Sequence, residues 1–223
     1  LDSEGAQIRN KKMLNDEVIL KEGEKIQIFF GETTEESRNI SLTPFDVAEQ
    51  LKEGDVLNID FHHVSIQVSA INQNSCDAVV VHGGKVGSNK AIDLQRDLPL
   101  LPISPKDEKA IEIGLEMGIR HFALSFANRK SDVEAFRSKI GNDSYLISKI
   151  ESISGLLNVE DIINNSDAIL IDRGDLSRQV PIEKTPLFQR RIISLARSRK
   201  KDVYVATNLL ESMVKSKTPT RAE

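Results

Sequence analysis

Apolar and polar positions change rhythm once along this chain. From Glu17 to about Val86 the apolar residues fall into short runs, EVILKEGEKIQIFF, DVLNIDFHHVSIQV and DAVVVHGG. Gly23, Gly31, Gly54 and the Gly83-Gly84 pair punctuate them. Short runs between such turns predict a small antiparallel β-domain or barrel, with a brief helix over Phe45 to Leu51. After Pro99 the rhythm becomes an alternation of strand and helix. SPKDEKAIEIGLEMG predicts a helix with Ser104 as cap, Pro105 at the first helical position and Gly118 at the exit. HFALSF reads as a buried strand. SDVEAFRSKIG reads as a helix with Ser131 and Glu134 as capping box and Gly141 at its end. YLISKI, AILID and VYVAT are further strands. Between them lie NVEDIINN, capped by Asn158, and PLFQRRIISLARSRK, whose last turn is basic as a helix dipole prefers. NLLESMVK begins another helix, with Asn208 and Glu211 in capping-box register. Strand and helix in regular alternation predict βα units around a parallel sheet.

Open doubly wound sheets and closed (β/α)8 barrels share that pattern. The polar residues separate them. Ser125, Lys149, Glu151, Asp175 and Thr207 sit at or just past the C-terminal ends of successive predicted strands, where (β/α)8 barrels gather their active sites. No Gly-x-Gly-x-x-Gly or Walker A stretch supports a nucleotide-binding open sheet. Residues two apart on a strand point to the same side, so Lys149 and Glu151 project together. A lysine and two carboxylates at strand ends suit a divalent metal beside a phosphate. The same residues also admit plain readings. Lys149 and Glu151 would make a strand-end salt bridge, Asp175 would cap a helix, and Thr207 would simply pack. Asp2 and Ser3 are ordinary turn residues. As a strand-end residue, Lys149 should matter little to folding.

Composition narrows the classes. At 223 residues the chain suits one large domain, or one medium and one small. Charged residues make up 29% and the net charge is −4, which gives no reason to expect nucleic acid or an anionic membrane as partner. No apolar run approaches the ~20 residues of a membrane helix, and no secretory signal is visible. The single cysteine, Cys76, reads as a small core residue, excludes a disulfide framework and fits a reducing, cytoplasmic setting. His62-His63 reads as an exposed turn pair. The chain opens at Leu1 without methionine and stops at Glu223 after a predicted helix start, so both ends are expected to be cut.

At this point the residues resemble a known family. SKIES, DAILIDRGDL and VYVATNLLESMVKSKTPTRAE are similar to the pyruvate kinase signatures around the catalytic lysine, the metal-binding acids and the following strand. LDSEGAQIR resembles that family's third barrel strand, and GGKVGSNKAIDL and LPISPKDEKAI its return from the lid domain. The resemblance implies an α/β fold, a (β/α)8 barrel incomplete in this chain, over residues 1–12 and 91–223. A small β-barrel lid is inserted over 13–90, and the carboxy-terminal regulatory domain is absent. It implies phosphoryl transfer from phosphoenolpyruvate to ADP, giving pyruvate and ATP, with Mg²⁺ (or Mn²⁺) and K⁺, and a homo-oligomer at full length. Lys149 would neutralise the transferring phosphoryl group, and Thr207 would assist protonation of the enolpyruvate carbon. Glu151 and Asp175 would bind Mg²⁺, and Asp2 and Ser3 would help form the K⁺ site. Gly174, Asp175, Thr207 and Arg9 would contact substrate, Arg9 from the lid hinge. Asp60 and Lys90 would face the nucleotide from the lid.

Departures from the family pattern leave other functions open. Asp172 stands where a small alanine is usual before RGD, and would repel the substrate or perturb the metal. Glu4, Ser177, Asn208, Phe61-His62, Asn89 and Asn128 also differ from the usual residues. A non-catalytic or regulatory relative, or a metal-dependent lyase or aldolase acting on a pyruvate enolate, would share the barrel without the nucleotide chemistry. By resemblance the chain supplies barrel strands three to seven, so it is expected to be part of a longer polypeptide or to be completed by other segments.

Overall fold

The computed structural model describes residues 1–31, 39–61, 63–96, 98–207 and 211–217. His62 and Asn208 lie outside them. The chain divides into two compact units. One is Gln7–Leu100, and the other joins Leu1–Ala6 to Leu101–Glu223.

Among the described residues the first unit carries nine short strands: β1 (Ile8–Asn10), β2 (Glu17–Leu20), β3 (Lys25–Phe29), β4 (Ile40–Thr43), β5 (Val56–Ile59), β6 (Val64–Ile71), β7 (Ser75–His82), β8 (Gly84–Gly87) and β9 (Ala91–Leu94). Seven of them close into a barrel in the order β1-β4-β3-β7-β6-β5-β9, while β2 and β8 form a separate ribbon. Every barrel junction is antiparallel except β3 with β4. Alternation builds the core: Ile26 and Ile28 on β3, Val64, Ile66 and Val68 on β6, and Ala78 and Val80 on β7 are all buried. Each large aliphatic side chain so placed contributes about 1.5–3 kcal/mol, and closure leaves no strand edge bare. The chain enters on β1 and leaves on β9, paired antiparallel through Ile8 and Ile92. This unit is therefore wider than residues 13–90, because both its entry and exit strands belong to the barrel wall. A short helix, α1 (Asp46–Glu49), falls within the stretch read as a brief helix. Cys76 is fully buried in this core, and burial pushes its thiol up to about 11.

The second unit alternates α2 (Pro105–Glu116), β10 (His121–Leu124), α3 (Lys130–Ile140), β11 (Tyr145–Ile150), α4 (Ile153–Leu157), α5 (Val159–Asn165), β12 (Ala168–Asp172), α6 (Arg173–Leu176), α7 (Thr185–Ser198) and β13 (Asp202–Ala206). The four strands form a parallel sheet in sequence order. Phe122, Leu124, Phe136, Leu146, Ile150, Ile162, Ile169, Ile171 and Ile192 fill its core. Helical crossovers between adjacent parallel strands follow from the geometry of the βαβ unit. The α/β class is established by this sheet; among the described residues the four strands do not close into a barrel. Leu1–Ala6 lies along β10 as a single parallel bridge, Asp2 to Ala123, and not as a strand. Gly5, at φ +70°, turns the backbone away there. No helix among the described residues is long and apolar enough to cross a membrane.

Helix ends follow the sequence in part. Ser104 accepts from the Asp107 amide at 3.0 Å, Asp107 accepts from the Ser104 amide at 3.1 Å, and Gly118 takes φ +79° at the exit. The expected box of Ser131 and Glu134 does not form. The cap of α3 sits two residues earlier, at Arg129, and the Asp132 carboxylate accepts from the amides of Asn128 (3.2 Å) and Arg129 (2.9 Å). An ionised carboxylate is the stronger acceptor for bare helix amides. Glu134 faces Lys130 instead, at 3.4 Å. Asn158 heads α5 without capping it, because its side-chain amide donates to the carbonyls of Asn128 and Ser154. In the NLLESMVK stretch the described part is a 3-10 turn, Glu211–Val214.

Candidate functional site

Strand register decides which polar side chains meet. Lys149 lies opposite Leu170, and Asp172 opposite Ala206, so the C-terminal ends of β11, β12 and β13 come level. Lys149 is the hub. Its Nζ lies 3.1 Å from Glu151 Oε1, 3.1 Å from Asp2 Oδ2 and 3.1 Å from Ser125 Oγ. Ser125 Oγ donates to Asp2 Oδ1 at 3.0 Å, and the Ser125 amide donates to Ser3 Oγ at 3.0 Å. Asp2, Ser3, Ser125, Lys149 and Glu151 therefore form one network at the strand ends.

Glu151 is the most enclosed member, with 1% of its side chain exposed. Its Oε2 accepts from the Phe126 amide at 2.7 Å. Its Oε1 has the Lys149 ion pair but receives no directed hydrogen bond among the described residues. Burial pushes the Glu151 carboxyl up to about 7. Lys149 and the Phe126 amide pull it back, and Asp175 adds to the rise. For Lys149 burial disfavours the charge, but Glu151 and Asp2 outweigh it and hold the ammonium above its ordinary range. A simple ion pair would lower its acid; here both partners move upward. Lys149 gains from two carboxylates, whereas one ammonium does not repay the desolvation of Glu151.

A second group adjoins the first. Glu151, Asp172 and Asp175 each offer a carboxylate oxygen, all within 4.8 Å of one another. Asp172 Oδ1 accepts from the Gly174 amide at 3.0 Å and from Thr207 Oγ1 at 2.7 Å. The cap of α6 is thus Asp172, which removes the plain capping reading of Asp175. Asp175 Oδ1 is held at 3.0 Å by the buried Arg178. Thr207 follows β13 at φ +75°, is exposed, and its carbonyl accepts from Arg173. Gly174 eases this approach, since a Cβ there would lie 3.0 Å from Thr207 Cγ2 and the threonine would have to give by a few tenths of an ångström.

In the first unit Asp60 and Lys90 come together, Oδ2 to Nζ at 3.1 Å. The exposed His63 stands 3.9 Å from the same oxygen. Arg9 donates to the Asn89 carbonyl at 2.8 Å and to Gln7 at 3.0 Å. These three candidates are surface groups of the barrel unit, already paired within it.

Sequence reasoning treated Asp172 only as a departure and did not single out Arg178. Their signal was spacing: Asp172, Asp175 and Arg178 are three apart, the interval at which side chains on helical backbone become neighbours.

The donor set suits a hard divalent ion. It offers only carboxylate oxygens, and one of the three acids, Glu151, is buried with its Oε1 free of a directed hydrogen bond. Asp2 and Ser3 offer K⁺ one carboxylate and one hydroxyl, both engaged by Lys149 and Ser125.

Comparison with known proteins adds the family. The family model described as "Pyruvate kinase, barrel domain" matches residues 1–223. A protein named pyruvate kinase from Thermococcus litoralis is 32% identical over all of this chain and 48% of its own length. One so named from Agrobacterium vitis is 36% identical, with 47% of its length covered. One from Corynebacterium efficiens is 33% identical, with 48% covered. The chain spans about half the length of the curated relatives it matches.

Proposed function

This chain belongs to the pyruvate kinase family, and on that premise we propose that it carries part of the site that moves the phosphoryl group of phosphoenolpyruvate to ADP, giving pyruvate and ATP. The observation that carries the reading is the position of Lys149 Nζ, 3.1 Å from Glu151 on one side and from Ser125 on the other, beside three clustered carboxylates. Phosphoryl transfer asks a protein mainly for charge neutralisation and positioning. In this reading Lys149 supplies the cation to the phosphoryl oxygens, held in place by Asp2 and Glu151. Glu151 and Asp175 hold Mg²⁺ or Mn²⁺, which when bound neutralises phosphate charge as a Lewis acid. Arg178 fixes Asp175, and the Phe126 amide fixes Glu151. The Thr207 hydroxyl, anchored on Asp172, serves as the proton-handling group near the enolpyruvate carbon, with Gly174 allowing the close approach. Asp2 and Ser3 would supply only part of a K⁺ site, one carboxylate already bonded to Lys149 and Ser125 and one hydroxyl already accepting from the Ser125 amide, with the remaining ligands from other residues.

The same reading takes the parallel-sheet unit as part of a (β/α)8 barrel and the closed β-barrel as the inserted lid. Asp60, Lys90 and Arg9 are then its nucleotide- and phosphate-facing groups. A cytoplasmic homo-oligomer is the corresponding setting. The test is release of pyruvate from phosphoenolpyruvate by the complete protein, followed through a coupled assay with and without ADP. Pyruvate that appears only with ADP and Mg²⁺ is expected. ADP-independent release would turn the reading toward a lyase or phosphatase, and no release toward a non-catalytic relative.

A further inference from the structure

We propose that Asp172 is a third carboxylate ligand of the divalent cation, so that this protein takes up its metal before any substrate. The inference rests on the reading of Glu151 and Asp175 as metal ligands. Asp172 lies at the end of β12, and its carboxylate comes within 4.8 Å of oxygens from both other acids. One of its oxygens is already fixed: Oδ1 accepts from the Gly174 amide at 3.0 Å and from Thr207 Oγ1 at 2.7 Å. Oδ2 carries no hydrogen bond among the described residues. A carboxylate pinned through one oxygen presents the other in a set direction, which is how outer partners orient a metal ligand. The second observation is Glu151. Its side chain is 1% exposed, and its Oε1, paired with Lys149 at 3.1 Å, lacks a directed hydrogen bond, so a buried carboxylate belonging to the same cluster keeps unused acceptor capacity.

Charge gives the consequence. Two carboxylates neutralise a divalent ion and leave its remaining coordination to water and substrate oxygens. A third adds one more negative charge beside the ion, next to Lys149 and Arg178, which already pair with Glu151 and Asp175. The metal is then held without help from a phosphate, and an anionic substrate is drawn in less strongly.

The experiment is titration of the complete protein with Mn²⁺, substrate absent, by calorimetry and by the electron-spin signal of the free ion. Asp172→Asn, Asp172→Ala and Glu151→Gln are compared with the parent. The asparagine keeps an acceptor for Gly174 and Thr207, so it separates loss of a ligand from loss of a helix cap. One tightly held Mn²⁺ in the parent, weakened roughly tenfold or more in all three variants, is expected. Binding by Asp172→Asn that equals the parent, while Glu151→Gln loses the ion, overturns the third ligand and leaves the Glu151 site intact. Binding that Glu151→Gln does not alter overturns the underlying metal reading, and this inference with it.

Discussion

Replacing Lys149 with methionine keeps the stem and deletes the charge, and its effect on stability should depend on pH. The ammonium stands 3.1 Å from a carboxylate that is 1% exposed. At an effective dielectric of about 20 their attraction is about 5 kcal/mol, and removing one partner of a buried pair costs about 3–5 kcal/mol. Asp2, more than half exposed, adds little. Burial has raised Glu151 from 4.5 to about 7, or roughly 3 kcal/mol. Between those values the folded protein holds the proton more tightly than the unfolded chain, so this group's contribution to stability falls as pH rises through that window. Without Lys149 the carboxyl moves higher still, and the fall continues above pH 7. The variant should therefore lose under ~1 kcal/mol near pH 5, where the acid is protonated with or without the lysine, and about 3 kcal/mol at pH 8.5. Urea denaturation at both pH values measures this. Lys149→Met/Glu151→Gln should recover most of the loss, because no buried charge is left. An equal loss at pH 5 and 8.5, or a double variant no better than the single one, would refute the reasoning. The strand-end position alone suggested that folding would be indifferent to Lys149; its enclosure by three oxygens reverses that.

Gly5→Ala should destabilise by ~2 kcal/mol or more and loosen the Lys149 network, since φ is +70° and the new Cβ would lie 2.7 Å from the Ser125 carbonyl carbon; unchanged thermal unfolding would contradict this. Arg96→Lys should cost about 1–2 kcal/mol, because the guanidinium grips Asp55 through two bonds of 2.8 Å and a lysine cannot; a denaturation curve matching the parent would dismiss the bidentate bond as a stabiliser. The Cys76 thiol, buried and raised to about 11, should ignore a thiol reagent at pH 8 in the folded protein and react in urea; rapid labelling of the native state would show that the barrel core opens.

Much of the second unit was legible because its signals are local. The run from Ser104 to Ala206 carries apolar periods and turn glycines that need no distant partner, and the two-residue spacing of Lys149 and Glu151 put both at the end of β11. What was hidden depends on register between strands. Nothing near Asp172 says that Thr207, 35 residues on, will donate to it; that follows from Asp172 pairing with Ala206. The burial of Glu151 and the hydrogen bond it accepts from the Phe126 amide likewise depend on how the β10 and β11 ends meet. In the first unit the alternation showed a β-domain, but the parallel junction of β3 with β4 joins strands that a simple meander would have paired antiparallel. The capping of α3 was missed because Ser131 looked like the better cap, whereas the charged Asp132 reaches two amides from inside the first turn.

The central claim is that Lys149 carries the charge of the transferring phosphoryl group. Its most direct test is the turnover rate of the Lys149→Ala variant of the complete protein, with saturating phosphoenolpyruvate, ADP and Mg²⁺, at a pH where folding of the variant has been verified. Loss of the Lys149 charge from the phosphoryl oxygens predicts a fall on the order of 10³-fold or more. Turnover within a few-fold of the parent would remove Lys149 from the chemistry and the account with it.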